Sequence, residues 1–187
     1  EVIAEVRLLE RKESIRPGEE AFVRLLLREP LLMLPGDRFI ARLFSPLVTI
    51  GGGVVLDIDP PKRGTQERLA VLLGGDTASK IALLIRESVY GMALAGLSAR
   101  TGLAESVLRE AASGVTVLEV PHPWLIDTQW FTGARERLRA ALVKFHKANP
   151  LPAGMTKEQL RGEVLPGSPP FLLDGLLSAE PALTVES

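Results

Sequence analysis

At 187 residues and 46% apolar side chains, the chain is long enough to bury the cores of two or three small domains. Its formal net charge of −1 comes from 22 basic and 23 acidic side chains spread along the whole length, which excludes a basic arm that would grip a polyanion by charge alone. The absence of cysteine excludes disulfides and thiolate metal sites, and no apolar run approaches the roughly 18–20 residues of a membrane span, so the expectation is a soluble, cytoplasmic chain.

In chain order, residues 1–9 alternate, with Val2, Ala4, Val6 and Leu8 on one side and Ile3, Glu5 and Arg7 on the other, the period-2 pattern of a half-buried strand. A strand already under way at residue 1 implies that the sequence begins inside its own domain. A charged stretch with Arg16-Pro17-Gly18-Glu19 supplies turn chemistry, and residues 21–28 alternate again until Glu29-Pro30 stops the ladder. Pro35-Gly36-Asp37 is a second turn. Two short strand-like runs, 39–44 and 54–57, then flank three consecutive glycines, Gly51, Gly52 and Gly53, which read as a loop built for close backbone approach. Several short strands separated by turns, with no helical period before residue 60, predict a small antiparallel β-barrel or sandwich over 1–58. Asp59-Pro60-Pro61-Lys62-Arg63-Gly64 reads as a linker, because consecutive prolines join neither a helix nor a central strand.

Beyond residue 64 the period changes to 3.6. A short helix over 66–73 ends at Gly74-Gly75; a second, capped by Asp76 or Thr77, carries Ile81, Leu84, Ile85 and Val89 as its buried stripe and stops at Gly91. Residues 93–108 give two short helices about a Thr101-Gly102 turn, which is helix-turn-helix spacing, and runs at 116–120 and 124–127 pair around Pro121-His122-Pro123. Helices followed by a hairpin make a winged helix, 65–127. The order restarts at Thr128 with a long amphipathic helix to about residue 147, whose apolar face carries Trp130, Phe131, Ala134, Leu138, Ala141, Leu142 and Phe145. A capped helix at 156–161, a third at 169–177 and a strand starting at 183–185 make a second winged helix, 128–187, with its wing incomplete.

A groove-reading helix needs Arg, Lys, Asn or Gln on its exposed face. The segment 104–112 offers Glu105, Arg109 and Glu110, and 169–177 offers only Asp174, so neither fits. The basic side chains of the long helix, Arg135, Arg137, Arg139, Lys144 and Lys147, are expected around its solvent side; Arg135, Arg139, Lys144 and Lys147 are the positions where a salt-sensitive, sequence-blind phosphate contact would fall. Trp124, Trp130, Phe131 and Phe145 read as packing residues and His122 as exposed turn chemistry. No P-loop motif occurs, neither histidine has a partner at catalytic or metal-ligand spacing, and Asp57 and Asp59 fit turn and solubility roles, so no catalytic residue, metal site or cofactor is expected in this chain.

Leu34-Pro35-Gly36-Asp37, then Arg38-Phe39-x-x-Arg42, then Thr49-Ile50-Gly51-Gly52-Gly53-Val54-Val55 resembles the third domain of translational GTPases of the elongation factor Tu type. The resemblance is closest to the selenocysteine-specific elongation factor family, in which winged helices follow the barrel. It implies a multidomain β plus α/β chain: a partial antiparallel β-barrel, 1–58, a linker, 59–64, and two winged-helix domains. It also implies a monomeric, non-enzymatic part of a factor that delivers selenocysteyl-tRNA to the ribosome at recoded UGA codons, guided by an mRNA hairpin held by further winged helices missing here. GTP and magnesium would belong to a GTPase domain absent from this sequence. The loop after the Arg-Phe-x-x-Arg strand would face tRNA, with Arg42 as a phosphate contact, Ser45 as a hydrogen-bond donor and Phe44 either in contact or in the core; the glycines would close the barrel. Two other readings stay open, a tandem winged-helix DNA-binding regulator and a protein-interaction scaffold that binds no RNA.

Overall fold

A computed structural model describes residues 1–9, 13–119, 121–150 and 154–180. It divides into two compact units, Glu1–Lys80 with Ser98–Leu103, and Ile81–Leu97 with Ala104–Ser187.

The first unit begins with two antiparallel ribbons. β1 (Ala4–Leu8) pairs with β2 (Val23–Leu27) in a register that sets Ala4 opposite Leu27 and Leu8 opposite Val23. β3 (Arg38–Arg42) pairs with β4 (Thr49–Val54), and the register shifts between Ala41 and Arg42. Among the described residues these ribbons form separate two-stranded sheets and do not close on each other, so the barrel-like part is open. The Leu34–Asp37 turn leads into β3: the Asp37 carboxylate accepts the Leu34 amide at 2.8 Å, and the amides of Gly36 and Val55 bond across the ribbon's end.

The glycines do not form the expected loop. Gly51, Gly52 and Gly53 lie inside β4, opposite Ala41, Ile40 and Phe39. A Cβ on Gly53 would come within 2.8 Å of the Phe39 ring, and one on Gly52 within 2.6 Å of the Phe39 carbonyl. At Gly52 and Gly53 the partner strand fills the space that side chains would take, whereas nothing lies within 4 Å of a Cβ added at Gly51. The connection is instead 43–48, and the run expected as a strand at 54–57 contributes only Val54 to the ladder.

α1 (Gln66–Gly74) follows, capped by the Thr65 hydroxyl, which accepts the Arg68 amide at 3.2 Å. α2 (Thr77–Glu87) buries Ile81, Leu84 and Ile85 as its pattern requires. Val89 does not join that stripe: it lies past the helix end and is 70% exposed. β5 (Met92–Ala93), too short to register as a periodic run, precedes α3 (Leu94–Thr101) and α4 (Glu105–Ala111). Between these helices Gly102 takes φ +71°, a left-handed turn that other residues resist. β6 (Val115–Leu118) and β7 (Trp124–Asp127) form the hairpin, and β5 joins it on the other edge of β7. Helix, strand, two helices and hairpin are the winged-helix order.

In the second unit, Asp127 caps α5 (Thr128–Ala148), its carboxylate accepting the Trp130 amide at 2.8 Å. α6 (Lys157–Val164) opens on a capping box between Thr156 and Gln159, and α7 (Pro170–Ser178) starts with proline in its first turn, where the missing amide is harmless. The three helices pack together with Phe131, Ala134, Leu138 and Ala141 of α5 set against Leu160, Val164, Leu172, Leu173 and Leu176. The strand expected at 183–185 lies outside the described residues.

Candidate nucleic-acid interface

The β3–β4 ribbon carries the residues expected to meet RNA, and alternation decides how it presents them. Phe39 and Ala41 are half-buried on one face; Arg38, Ile40 and Arg42 point to the other, where all three are exposed. Ile40, 74% exposed opposite the bare backbone of Gly52, stands on this face between two guanidiniums. Among the described residues no carboxylate pairs with Arg38 or Arg42. At the ribbon's end the Leu43 amide bonds the Val48 carbonyl at 2.8 Å, and the loop between them holds Phe44, Ser45 and a cis bond to Pro46. Phe44 is 87% exposed and so is not a core residue; Ser45 is exposed beside it. The structure thus brings Arg42, Phe44 and Ser45 together at one hairpin end: a cation for phosphate, a ring face for stacking and a hydroxyl for hydrogen bonding.

The basic residues of α5 are arranged differently from a free cationic face. Arg135 and Arg139 both turn onto Glu180, whose side chain is buried. Arg139 donates to the Glu180 carboxylate at 2.7 and 3.0 Å; Arg135 donates to it as well and reaches the Ala179 carbonyl at 2.8 Å. The hydrogen bond from Arg139 holds the Glu180 carboxyl below its ordinary range against the opposing effect of burial, with Arg135 adding to it. Arg137 lies over the Trp130 ring, 5.7 Å from its centre. Lys144 is exposed, with Glu163 at 3.7 Å, and Lys147 is exposed in the helix's last turn.

The helix-turn-helix carries little that would read a groove. Arg109, the cation of α4, gives two guanidinium nitrogens to Glu119 on the hairpin, at 2.8 and 3.3 Å, and the helix's other charged side chains, Glu105 and Glu110, are acidic. In α7, Asp174 is taken by Lys157 at 2.8 Å. The rings of the hairpin serve packing: Trp124 Nε1 donates to the Tyr90 carbonyl at 2.7 Å and stacks edge-on with Phe171, while exposed His122 meets both rings at 5.6 Å. Tyr90 in turn meets Trp130 edge-on and donates its hydroxyl to the Pro166 carbonyl at 2.6 Å.

Sequence reasoning missed one charged centre. Asp57, assigned to turn chemistry, is buried between two guanidiniums. Arg100 donates to it from Nε at 3.1 Å and from Nη2 at 2.8 Å, Arg68 donates from the other side, and the Asp59 amide completes the set at 3.0 Å. Burial alone would push this carboxyl up, but the hydrogen bonds from Arg100, Arg68 and the Asp59 amide, with the charge of Arg100, outweigh it and hold the group below its ordinary value. The partners stand 11 and 43 positions away, so no local spacing announces them. The only hint is a carboxylate flanked by Leu56 and Ile58 at a strand's end. Among the described residues no group of acidic residues and histidines is arranged to hold a metal, and no helix is long and apolar enough to cross a membrane.

Two family models match the chain: the selenocysteine-specific elongation factor beta-barrel domain over residues 1–62, and the elongation factor SelB winged helix over residues 139–180. A selenocysteine-specific elongation factor of Desulfomicrobium baculatum is 26% identical over 171 residues, which is 86% of this chain and 27% of that protein. The chain therefore spans about a quarter of the length of the curated relative it matches.

Proposed function

From a chain that carries a beta-barrel domain and a winged helix of the selenocysteine-specific elongation factor family, we propose a tRNA-docking module with a winged-helix arm. The barrel-like part, 1–58, takes the acceptor and T-arm region of selenocysteyl-tRNA; 59–64 links it to winged helices over 65–127 and 128–187. The arm reaches toward the ribosome-bound messenger, whose hairpin is gripped by other parts of a longer cytoplasmic factor. GTP and magnesium act in a different domain of that factor, since no phosphate-cradling loop exists here.

The observation that carries the reading is the hairpin end of the β3–β4 ribbon, where Arg42, Phe44 and Ser45 stand exposed together beside a strand that is bare backbone at Gly51 and Gly52. A sugar–phosphate backbone can approach such a face closely, and a free guanidinium meets a phosphate at no cost of breaking an existing ion pair. The α5 candidates contribute less. Lys144 and Lys147 are accessible, whereas a phosphate would have to displace Glu180 to reach Arg135 or Arg139.

Titration with a labelled acceptor–T-arm minihelix, a random DNA duplex and an mRNA-type hairpin, each at low and moderate salt, tests the proposal. Preference for the minihelix, lost in Arg42→Ala, supports it. Equal weak binding to all three, or none, reduces the chain to a spacer, and tight duplex binding would favour a DNA-binding regulator, which the sequestered Arg109 argues against.

A further inference from the structure

We propose that Asp57, Arg68 and Arg100 form a clasp that makes the β-rich segment, helix α1 and the turn after α3 one rigid body, so that residues 59–64 act as a strut. This inference rests on the geometry of the first unit and holds whether or not the ribbon binds RNA.

A stretch with two prolines and a glycine between a sheet and a helix would ordinarily be a joint. Here it is fastened at three places. Asp57, at the exit of the β-rich segment, is shared by Arg68 of α1 and Arg100 of the last turn of α3; the three side chains are only 6%, 6% and 14% exposed. Arg100 also donates to the Asp59 carbonyl at 2.7 Å, so one guanidinium spans both ends of a three-residue corner. From the opposite side Arg24 of β2 takes the carbonyl oxygens of Pro61 and Lys62, the second at 3.2 Å, which ties the proline stretch back to a strand. The third fastening is apolar. The Leu34 side chain lies so close to Gly102 that a Cβ there would meet its Cδ1 at 3.0 Å.

The chemistry favours rigidity over mere proximity. Arginine presents its donors in a planar fork, and the bidentate bond of Arg100 to a carboxylate fixes direction as well as distance. Swinging α1 or the α3 turn away would break the charge-assisted bonds of one guanidinium to a largely buried carboxylate, so arrangements with one arm released are disfavoured.

The chain has no cysteine, so paired nitroxides attach only where cysteines are introduced. Exposed Thr49 of β4, with exposed Ala70 of α1 or Ala99 of α3, provides two label pairs, Thr49→Cys/Ala70→Cys and Thr49→Cys/Ala99→Cys. Pulsed electron-spin distance measurements should give narrow distributions for both, unchanged by moderate salt because the clasp is buried. Asp57→Asn should broaden both at least twofold, while circular dichroism reports intact secondary structure. Arg100→Gln, which leaves Asp57 paired with Arg68, should broaden the 49–99 distribution and leave 49–70 narrow; it carries the test alone if Asp57→Asn does not fold. Broad distributions in the labelled chain with Asp57 and Arg100 intact, or equally narrow ones in the Asp57→Asn and Arg100→Gln variants, would overturn the clasp.

Discussion

Asp57 and Glu180 are both buried carboxylates held by two arginines, and their consequences differ with what each one ties. Removing the charge of Asp57 takes from two largely buried guanidiniums the carboxylate they share, so Asp57→Asn should cost about 3–5 kcal/mol in urea unfolding monitored on the helices. Its acid response follows from the lowered folded value. The stabilisation is fully present above the ordinary carboxylate value of 3.8 and is lost as pH falls below it, through the folded value. A urea midpoint that falls below pH 3.8 in the parent chain, and much less steeply in Asp57→Asn, is the expected result. Glu180→Gln acts on the last described turn instead. It should speed amide exchange at Ala179 and Glu180, which bond back to Leu176 and Leu177, and leave the α5–α6 core as slow as before.

At the scale of elements, the β4 glycines separate two explanations of the same triplet. Gly51 has nothing within 4 Å of an added Cβ, so Gly51→Ala should be neutral or stabilising by up to about 1 kcal/mol through the unfolded chain. At Gly52 an added Cβ would collide with the Phe39 carbonyl, and Gly52→Ala should disrupt the β3–β4 ladder and lower the thermal midpoint. Equal effects at the two positions would mean that the glycines serve flexibility, as a loop would require. Thr156→Ala removes the capping box of α6 and should cost about 1 kcal/mol in the same unfolding measurement. These cases also show how much was legible from the sequence. Helices α1, α2, α5, α6 and α7 announce themselves because their periods, caps and breakers lie within a few residues of one another. The glycines misled because three in a row signal a turn locally, whereas the reason at Gly52 and Gly53 is the Phe39 carbonyl and ring on the partner strand. β5 escaped because two residues carry no period, and it exists only by pairing with β7 across more than thirty positions. Of the candidate site, Arg42, Phe44 and Ser45 came from the family resemblance, since the period alone put 39–44 in a strand. That Arg135, Arg139 and Arg109 would be occupied was not legible, because their carboxylates come from other elements.

For the whole molecule, the disposition of charge sets what kind of nucleic-acid binding is compatible with the fold. The chain is nearly neutral, and several arginines that look available in the sequence are committed to carboxylates. If the ribbon face is the docking surface, Arg38 and Arg42 are the cations that face offers to displace counterions. The logarithm of minihelix affinity should then fall with the logarithm of salt at a slope of about −1 to −3, and Arg42→Ala should make that slope shallower by about 1. Phe44→Ala should weaken binding without changing the slope, because stacking releases no counterions. A slope of about −6 or steeper would require more cations than the ribbon face presents, and it would extend the interface beyond the ribbon. A slope near −2 that responds to Arg42 and not to Lys144→Ala or Lys147→Ala would confine RNA contact to the β-rich part, with the winged helices serving as the arm that carries it.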